Sequence, residues 1–247
     1  MNMSLVVEYL DEDIVVVNKP VGMIAHSAAN FQGPDVVSEL EKQGISIAVS
    51  APEDADMNRR GVVSRLDVGT SGLLVITRTD KAFSSLKEQF AAHTVVKKYN
   101  ALVEGRFSLQ RGLISAPIGR HPKNRWRYTI VEGGKGARTN FDVLAEYRLA
   151  DKTSVVTYLE LWLETGRTHQ IRVHMQHYGH PLVGERIYKR NRSRVDEHLQ
   201  LTRPFLHSKF LEFVHPTRGD LVNFECELAL DLQQALEELR AQTAQNN

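Results

Sequence analysis

Short runs rich in β-branched and aromatic residues, each closed by glycine, proline or charged turn residues, recur along this chain from Leu5 to Leu228. Side chains on such runs alternate between two faces, so each run needs neighbouring strands and a side to bury. Leu5–Tyr9 and Ile14–Asn18 flank Asp11-Glu12-Asp13 and read as a hairpin. Leu73–Thr77, Lys97–Val103, Trp126–Val131, Ala137–Tyr147, Ser154–Leu163, Phe205–Val214 and Leu221–Leu228 are further strand candidates. Gly133-Gly134-Lys135-Gly136 is expected to be a plain hairpin turn between two of them.

Helical spacing is scarcer. Pro34–Gln43 ends at Gly44, Asp80 is expected to cap a helix bearing Phe83, Leu86 and Phe90, and Leu232, Leu236 and Leu239 mark a last helix. Thr168 is expected to cap another, with Ile171, Met175 and Tyr178 on one face and Gly179 and Pro181 closing it. The polar segment from Ile45 to Arg60 reads as a loop. The expected fold is α+β, a mixed, mostly antiparallel central sheet with flanking helices. No linker or repeat divides the chain, so residues 1–247 are expected to form a single domain with a polar tail from about residue 241.

The 247 residues, 42% hydrophobic and 25% charged, suffice for a sizeable core. One cysteine, Cys226, excludes an internal disulfide framework and a cysteine-rich zinc site. No signal peptide opens the chain and no apolar run reaches membrane-span length, so a soluble cytoplasmic protein with no membrane partner is expected. A net charge of +1 decides nothing about nucleic acid, but its distribution bears on the question. Arg120, Lys123, Arg125 and Arg127 surround Trp126, and Arg186, Lys189, Arg190, Arg192 and Arg194 cluster near Tyr188. Basic residues with an interleaved aromatic suit phosphate tracking and base stacking, and they equally suit two solvated loops.

Two stretches are chemically dense. In Ser64-Arg65-Leu66-Asp67-Val68-Gly69-Thr70-Ser71-Gly72 the first half has strand-like spacing and the second is turn material. Asp67 is then placed like a reactive carboxylate, or it caps its own turn. In Glu164-Thr165-Gly166-Arg167-Thr168-His169-Gln170-Ile171-Arg172-Val173-His174, Gly166 allows a sharp turn that leaves Arg167 able to grip an anion.

Other chemistries fail on pattern. His174, His177 and His180 lack a His-Glu-x-x-His arrangement, so no metal is expected. Gly69-Thr70-Ser71-Gly72 is not a Gly-x-Ser-x-Gly elbow, and neither a Walker pattern nor a Gly-x-Gly-x-x-Gly fingerprint occurs. What remains is Asp67, Arg167 and a strand-borne Tyr99, a set able to do cofactor-free nucleophilic chemistry on a flat substrate.

Taken together, these stretches resemble the RluA-type pseudouridine synthase family. The resemblance runs from about Glu12 to about Leu228 and is carried by Val17-Asn18-Lys19-Pro20-Val21-Gly22, Arg65-Leu66-Asp67 with Thr70-Ser71-Gly72, and Lys97-Lys98-Tyr99-Asn100-Ala101. It continues in Thr165–His174, His180-Pro181-Leu182-Val183-Gly184, Leu206-His207 and Phe213-Val214-His215-Pro216. It implies the pseudouridine synthase fold, with a catalytic cleft across the sheet, and isomerisation of uridine in ribosomal or transfer RNA without cofactor or metal. Asp67 would be the catalytic carboxylate, attacking the ribose anomeric carbon or acting during glycal formation. Arg167 would pair with Asp67, and Tyr99 would stack on the detached uracil and help remove a proton. Arg65 would fill the space left by a flipped-out nucleotide.

His169, Gln170 and Arg172, with Lys123, Arg125, Arg127, Lys189 and Arg190 from the clusters, are the remaining candidate RNA contacts. Ser64 stands where the family often has His, and the small N-terminal RNA-binding domain of many members is expected to be missing. Nothing demands more than a monomer. Two other readings stay open: an RNA-binding or RNA-folding protein on the same scaffold, and a small-molecule nucleoside or glycoside enzyme using Asp67 with Glu164. Retention of Asp67, Tyr99 and Arg167 together argues against pure binding, because a carboxylate repels phosphate.

Overall fold

The computed structural model describes residues 5–27, 32–48, 60–149, 151, 153–189 and 191–245. Most of the expected loop from Ile45 to Arg60 lies outside them. In chain order the elements are β1 (Val6–Leu10), β2 (Ile14–Lys19), α1 (Val36–Lys42), β3 (Ser71–Thr77), α2 (Asp80–Ala91) and β4 (Val96–Glu104). There follow β5 (Arg111–Ser115), β6 (Ile118–Arg120), β7 (Tyr128–Ile130), β8 (Arg138–Arg148), β9 (Val155–Leu163) and α3 (Gln170–His177). The chain closes with α4 (Arg194–His198), β10 (Leu206–Val214), β11 (Leu221–Glu225) and α5 (Leu230–Gln245). These elements form two compact units, Met1–Lys97 with Ser208–Glu227, and Lys98–His207 with Leu228–Asn247.

In the first unit β1 and β2 form the expected hairpin, and β2 pairs antiparallel with β3 from Ile14 opposite Thr77 to Lys19 opposite Gly72. Both faces of β2 and β3 are buried. Val15, Val17, Leu74 and Ile76 join α1's Val36 and Leu40, while Ile14, Val16, Leu73 and Val75 join α2's Ala82 and Leu86 with Leu211 and Phe213 of β10. Double burial is why these strands read as continuous apolar runs. Gly72 sits at φ +108°, and a Cβ there would lie 2.2 Å from the Ser208 carbonyl oxygen, so only glycine lets β3 and β10 approach this closely. Asp11 gathers Tyr9, His215 and Arg218 at the β1–β2 turn, with hydrogen bonds of 2.7, 2.8 and 3.2 Å.

In the second unit β4, β9, β8 and β5 follow one another, antiparallel throughout. Leu102, Val156, Tyr158 and Phe205 pack with Leu232, Leu236 and Leu239 of α5. Arg203, buried, pins α5 through two bonds to Asp231 at 2.8 and 2.7 Å.

Several local expectations change. Val62 to Asp67 is a loop touching the sheet by one bridge, Val62 to Ile76, because its apolar residues serve as anchors for an irregular backbone. Thr79, not Asp80, caps α2, accepting from Ala82 N–H at 3.2 Å. α3 has no side-chain cap: His169 precedes it in the left-handed region at φ 56°, and Thr168 plays no capping part. The glycines at 133–136 do not join two paired strands. β7 pairs with β6 and β8 with β9 and β5, while Ile118 and Lys135 exchange backbone bonds of 2.9 Å each. The glycine signal was real, but a local signal cannot name the partner. β5, β6 and α4 escaped the sequence reading, being short and polar. The last helix reaches Gln245, beyond the point where its apolar spacing stops.

Candidate active site

Asp67 lies in a loop of the first unit held from several sides. Leu66 packs into the core beside α1, so Arg65 before it is exposed and Asp67 after it is half-buried. Thr70 N–H donates to the Asp67 carbonyl at 3.0 Å and closes a tight turn. Gly22, at φ 86°, donates its N–H to the Val68 carbonyl at 2.8 Å. The turn containing Gly22 is held in turn by Lys19. This lysine is fully buried, and its Nζ donates to the carbonyls of Pro20 at 3.0 Å and Met23 at 2.8 Å. The Lys19-Pro20-Val21-Gly22 and Arg65-Leu66-Asp67 motifs therefore meet physically, through backbone.

Tyr99 and Arg167 belong to the second unit. Tyr99 is a buried residue of β4 opposite Leu161 of β9. Arg167 occupies the turn between β9 and α3, and its Nε donates to the Gly136 carbonyl at 3.0 Å. Its backbone is joined to Gln170 twice. Arg167 N–H donates to Gln170 Oε1 at 3.0 Å, and Gln170 N–H to the Arg167 carbonyl at 3.1 Å.

Two residues after Arg167 the same unit begins an aromatic and cationic group. His169 Nδ1 is 2.7 Å from the Tyr188 hydroxyl, which also accepts from Tyr128 N–H at 3.3 Å. Arg172 lies over the Tyr188 ring, 5.3 Å from its centre, and grips Glu185 through bonds of 2.7 and 2.8 Å. Burial alone would raise the Glu185 carboxyl, but the bonds and charge of Arg172 and the amides of Ile187 and Tyr188 hold it below the usual range. The pair fixes the loop that carries Tyr188.

Three expected RNA contacts are corrected here. Gln170 is buried with both ends of its amide engaged, Arg172 is buried against Glu185, and the half-buried Lys189 places its ammonium between Glu104 and Asp196. A cation committed to an interior carboxylate does not track phosphate. Arg190 lies outside the described residues. The first basic cluster differs. β6, β7 and their connection form an arm on which Lys123, Arg125 and Trp126 are exposed, Trp126 by 57%. Arg127 lies 4.8 Å from the Trp126 ring centre and Arg120 5.2 Å from that of Tyr128. Arg65 and His169 keep partial or full exposure.

Two of the three histidines of the helical stretch have partners within the protein, and His177 is exposed. His174 is bound to Thr139 and Ala116, and His180 stacks on Phe107 with ring centres 4.1 Å apart. Among the described residues no group of three or more His, Cys, Asp or Glu could hold a metal ion. Among the same residues no helix is long and apolar enough to cross a membrane.

The chain matches the family model described as RNA pseudouridylate synthase over residues 13–177. It is 38% identical over 239 residues to an uncharacterised RNA pseudouridine synthase of Mycobacterium tuberculosis, covering 97% of this chain and 74% of the relative. It is 36% identical over 247 residues to ribosomal large subunit pseudouridine synthase D of Pseudomonas aeruginosa, covering 97% and 73%. Its structure is similar to that of human RNA pseudouridylate synthase domain containing 1, with a TM-score of 0.71 at 25% identity, covering 97% and 96% of the two chains. On the residues matched and on the mostly antiparallel α+β architecture, this chain belongs to the RNA pseudouridylate synthase family, isomerases that act on RNA.

Proposed function

We propose that this chain converts a uridine of the large-subunit ribosomal RNA to pseudouridine, with Asp67 as the catalytic carboxylate and Tyr99 and Arg167 serving the same reaction. The observation that carries this reading is the family match over residues 13–177, which contains all three residues and crosses from the first compact unit into the second. For that reason we take both units as one catalytic domain. Ribosomal RNA comes first among substrates because relatives 36% to 38% identical are named for the large ribosomal subunit. Transfer RNA is the second substrate class to test. A ribosomal substrate would put the enzyme's work in the cytoplasm.

The isomerisation breaks the bond from uracil N1 to the ribose anomeric carbon and forms one from C5 to that carbon. C5 gives up a proton and N1 gains one, so nothing is oxidised or reduced. Positive charge develops on the ribose as the first bond breaks, and a fixed carboxylate stabilises it. Asp67 suits this part because its loop is tied to the sheet, to the core and to the turn after Lys19. Tyr99, a flat ring on a strand, suits the detached base. The exposed Lys123, Arg125 and Trp126, with the half-buried Arg127, suit the RNA around the target, and Arg65 and His169 the nucleotides nearest it.

The test is pseudouridine mapping of ribosomal and transfer RNA from cells with and without the gene, repeated with purified chain on transcribed RNA. One site should vanish with the gene and return with the wild-type chain. Asp67→Ala should bind the RNA and form no pseudouridine. Full activity in a purified Asp67→Ala protein would overturn the assignment.

A further inference from the structure

We propose that Gln170 is a positioning residue for Arg167, held in its working orientation by Thr139 and His174. The inference rests on the reading of Arg167 as part of the reactive machinery.

Arg167 lies in a turn with no ladder or helix to fix it. Gln170 provides the missing restraint. Its Oε1 accepts from Arg167 N–H at 3.0 Å and from the Thr165 hydroxyl at 2.8 Å. Its Nε2 donates to the Arg138 carbonyl and to Thr139 Oγ1, both at 3.0 Å. The Arg138 carbonyl can only accept, which fixes the amide's orientation and leaves Oε1 toward Arg167. Thr139, having accepted from Gln170, donates its hydroxyl to His174 Nδ1 at 2.9 Å, and His174 Nε2–H donates to the Ala116 carbonyl at 3.1 Å.

Each donor in this chain meets one acceptor, and the side chains that link it, Thr139, Thr165, Gln170 and His174, are buried. Such a network tolerates one arrangement, because any flip would strand a buried polar group. It also refers both ends of Arg167 to the same short segment. The guanidinium rests on the Gly136 carbonyl, and the backbone rests, through Gln170, on Arg138 two residues later.

A side chain that merely capped α3 would give the same bond to Arg167 N–H, and would affect stability alone. The experiment separates the two. Gln170→Met keeps volume and removes all four bonds. Its kcat on substrate RNA should fall by about 10- to 100-fold, the range expected for a catalytic group displaced by about 1 Å. KM should stay within about threefold, because Gln170 is buried away from RNA. The assay is run well below the variant's melting temperature, beside Arg167→Ala. Wild-type kcat in a folded Gln170→Met protein, with Arg167→Ala impaired, overturns the inference alone. Full activity in Arg167→Ala overturns the reading of Arg167 and this inference with it. If Gln170→Met does not fold, Thr165→Val takes its place, since it frees Oε1 to leave Arg167. A smaller drop in kcat at constant KM supports the proposal, and an unchanged kcat refutes it.

Discussion

Gly22 gives its backbone N–H to the carbonyl of Val68, the residue after Asp67, at 2.8 Å. The bond joins two motifs some forty-five positions apart in the chain. It ties a buried lysine, a proline and a glycine to the loop of the carboxylate proposed to react, although none of them has a chemical part in that proposal. Gly22 holds φ at 86°, where a side chain is penalised by about 1–2 kcal/mol. Gly22→Ala should therefore cost that much in urea unfolding. It should also lower kcat, because the strain is relieved by moving the turn that holds Val68. A stability loss with kcat untouched would show that the contact is structural only.

Arg172 and Glu185 form an interior ion pair with side chains 6% and 1% exposed. Removing one partner leaves the other charged and unpaired, so Arg172→Met or Glu185→Leu should each cost about 3–5 kcal/mol. The double variant should recover part of that loss and not all. The amides of Ile187 and Tyr188, which now donate to Glu185, would still lack an acceptor. Denaturant titration of the four proteins closes the cycle.

His174 is fully buried, and burial, first among the causes, pushes its pKa below the ordinary imidazole value, with nearby His177 lowering it further and the Ala116 bond opposing. The unfolded chain then binds the proton more readily than the folded one. Stability from this group is complete above about pH 6.5 and is lost as pH falls below it. Urea midpoints measured from pH 7.5 down to 5.5 should fall for the wild type and fall less steeply for His174→Gln. The carboxylates with lowered pKa, among them Glu185 and Asp196, give up their share only at lower pH.

Trp126 and Lys123 stand exposed on the β6–β7 arm, so both can change without disturbing the core. Trp126→Ala should weaken RNA binding by about 1–3 kcal/mol if a base stacks there. Lys123→Ala should lower the slope of log affinity against log salt by about 1, the signature of one lost phosphate contact. Thermal unfolding should be unchanged in both. Fluorescence anisotropy across a salt series measures the binding.

Alternation and turn chemistry were enough to read most strands, since period and punctuation are local properties. They misread Val62–Leu66, where the same apolar spacing anchors a loop, and they joined the Trp126 and Ala137 segments, which bond to other strands. Charge was the poorest guide. Lys123, Lys189 and Arg172 look alike as letters. The first is solvated, while the others are paired with Glu104, Asp196 and Glu185, acids distant in the chain or hidden by the fold.

By itself, then, the amino-acid order determined the α+β class, the family and the three residues proposed for the chemistry, because short motifs in fixed order are legible without coordinates. Only the tertiary structure decided which polar residues support the two stretches that carry Asp67 and Arg167. Lys19 beneath the Gly22 turn and Gln170 beneath Arg167 act through hydrogen bonds whose partners folding alone brings within reach. A buried polar side chain is defined by what surrounds it, and its surroundings are not written beside it in the chain.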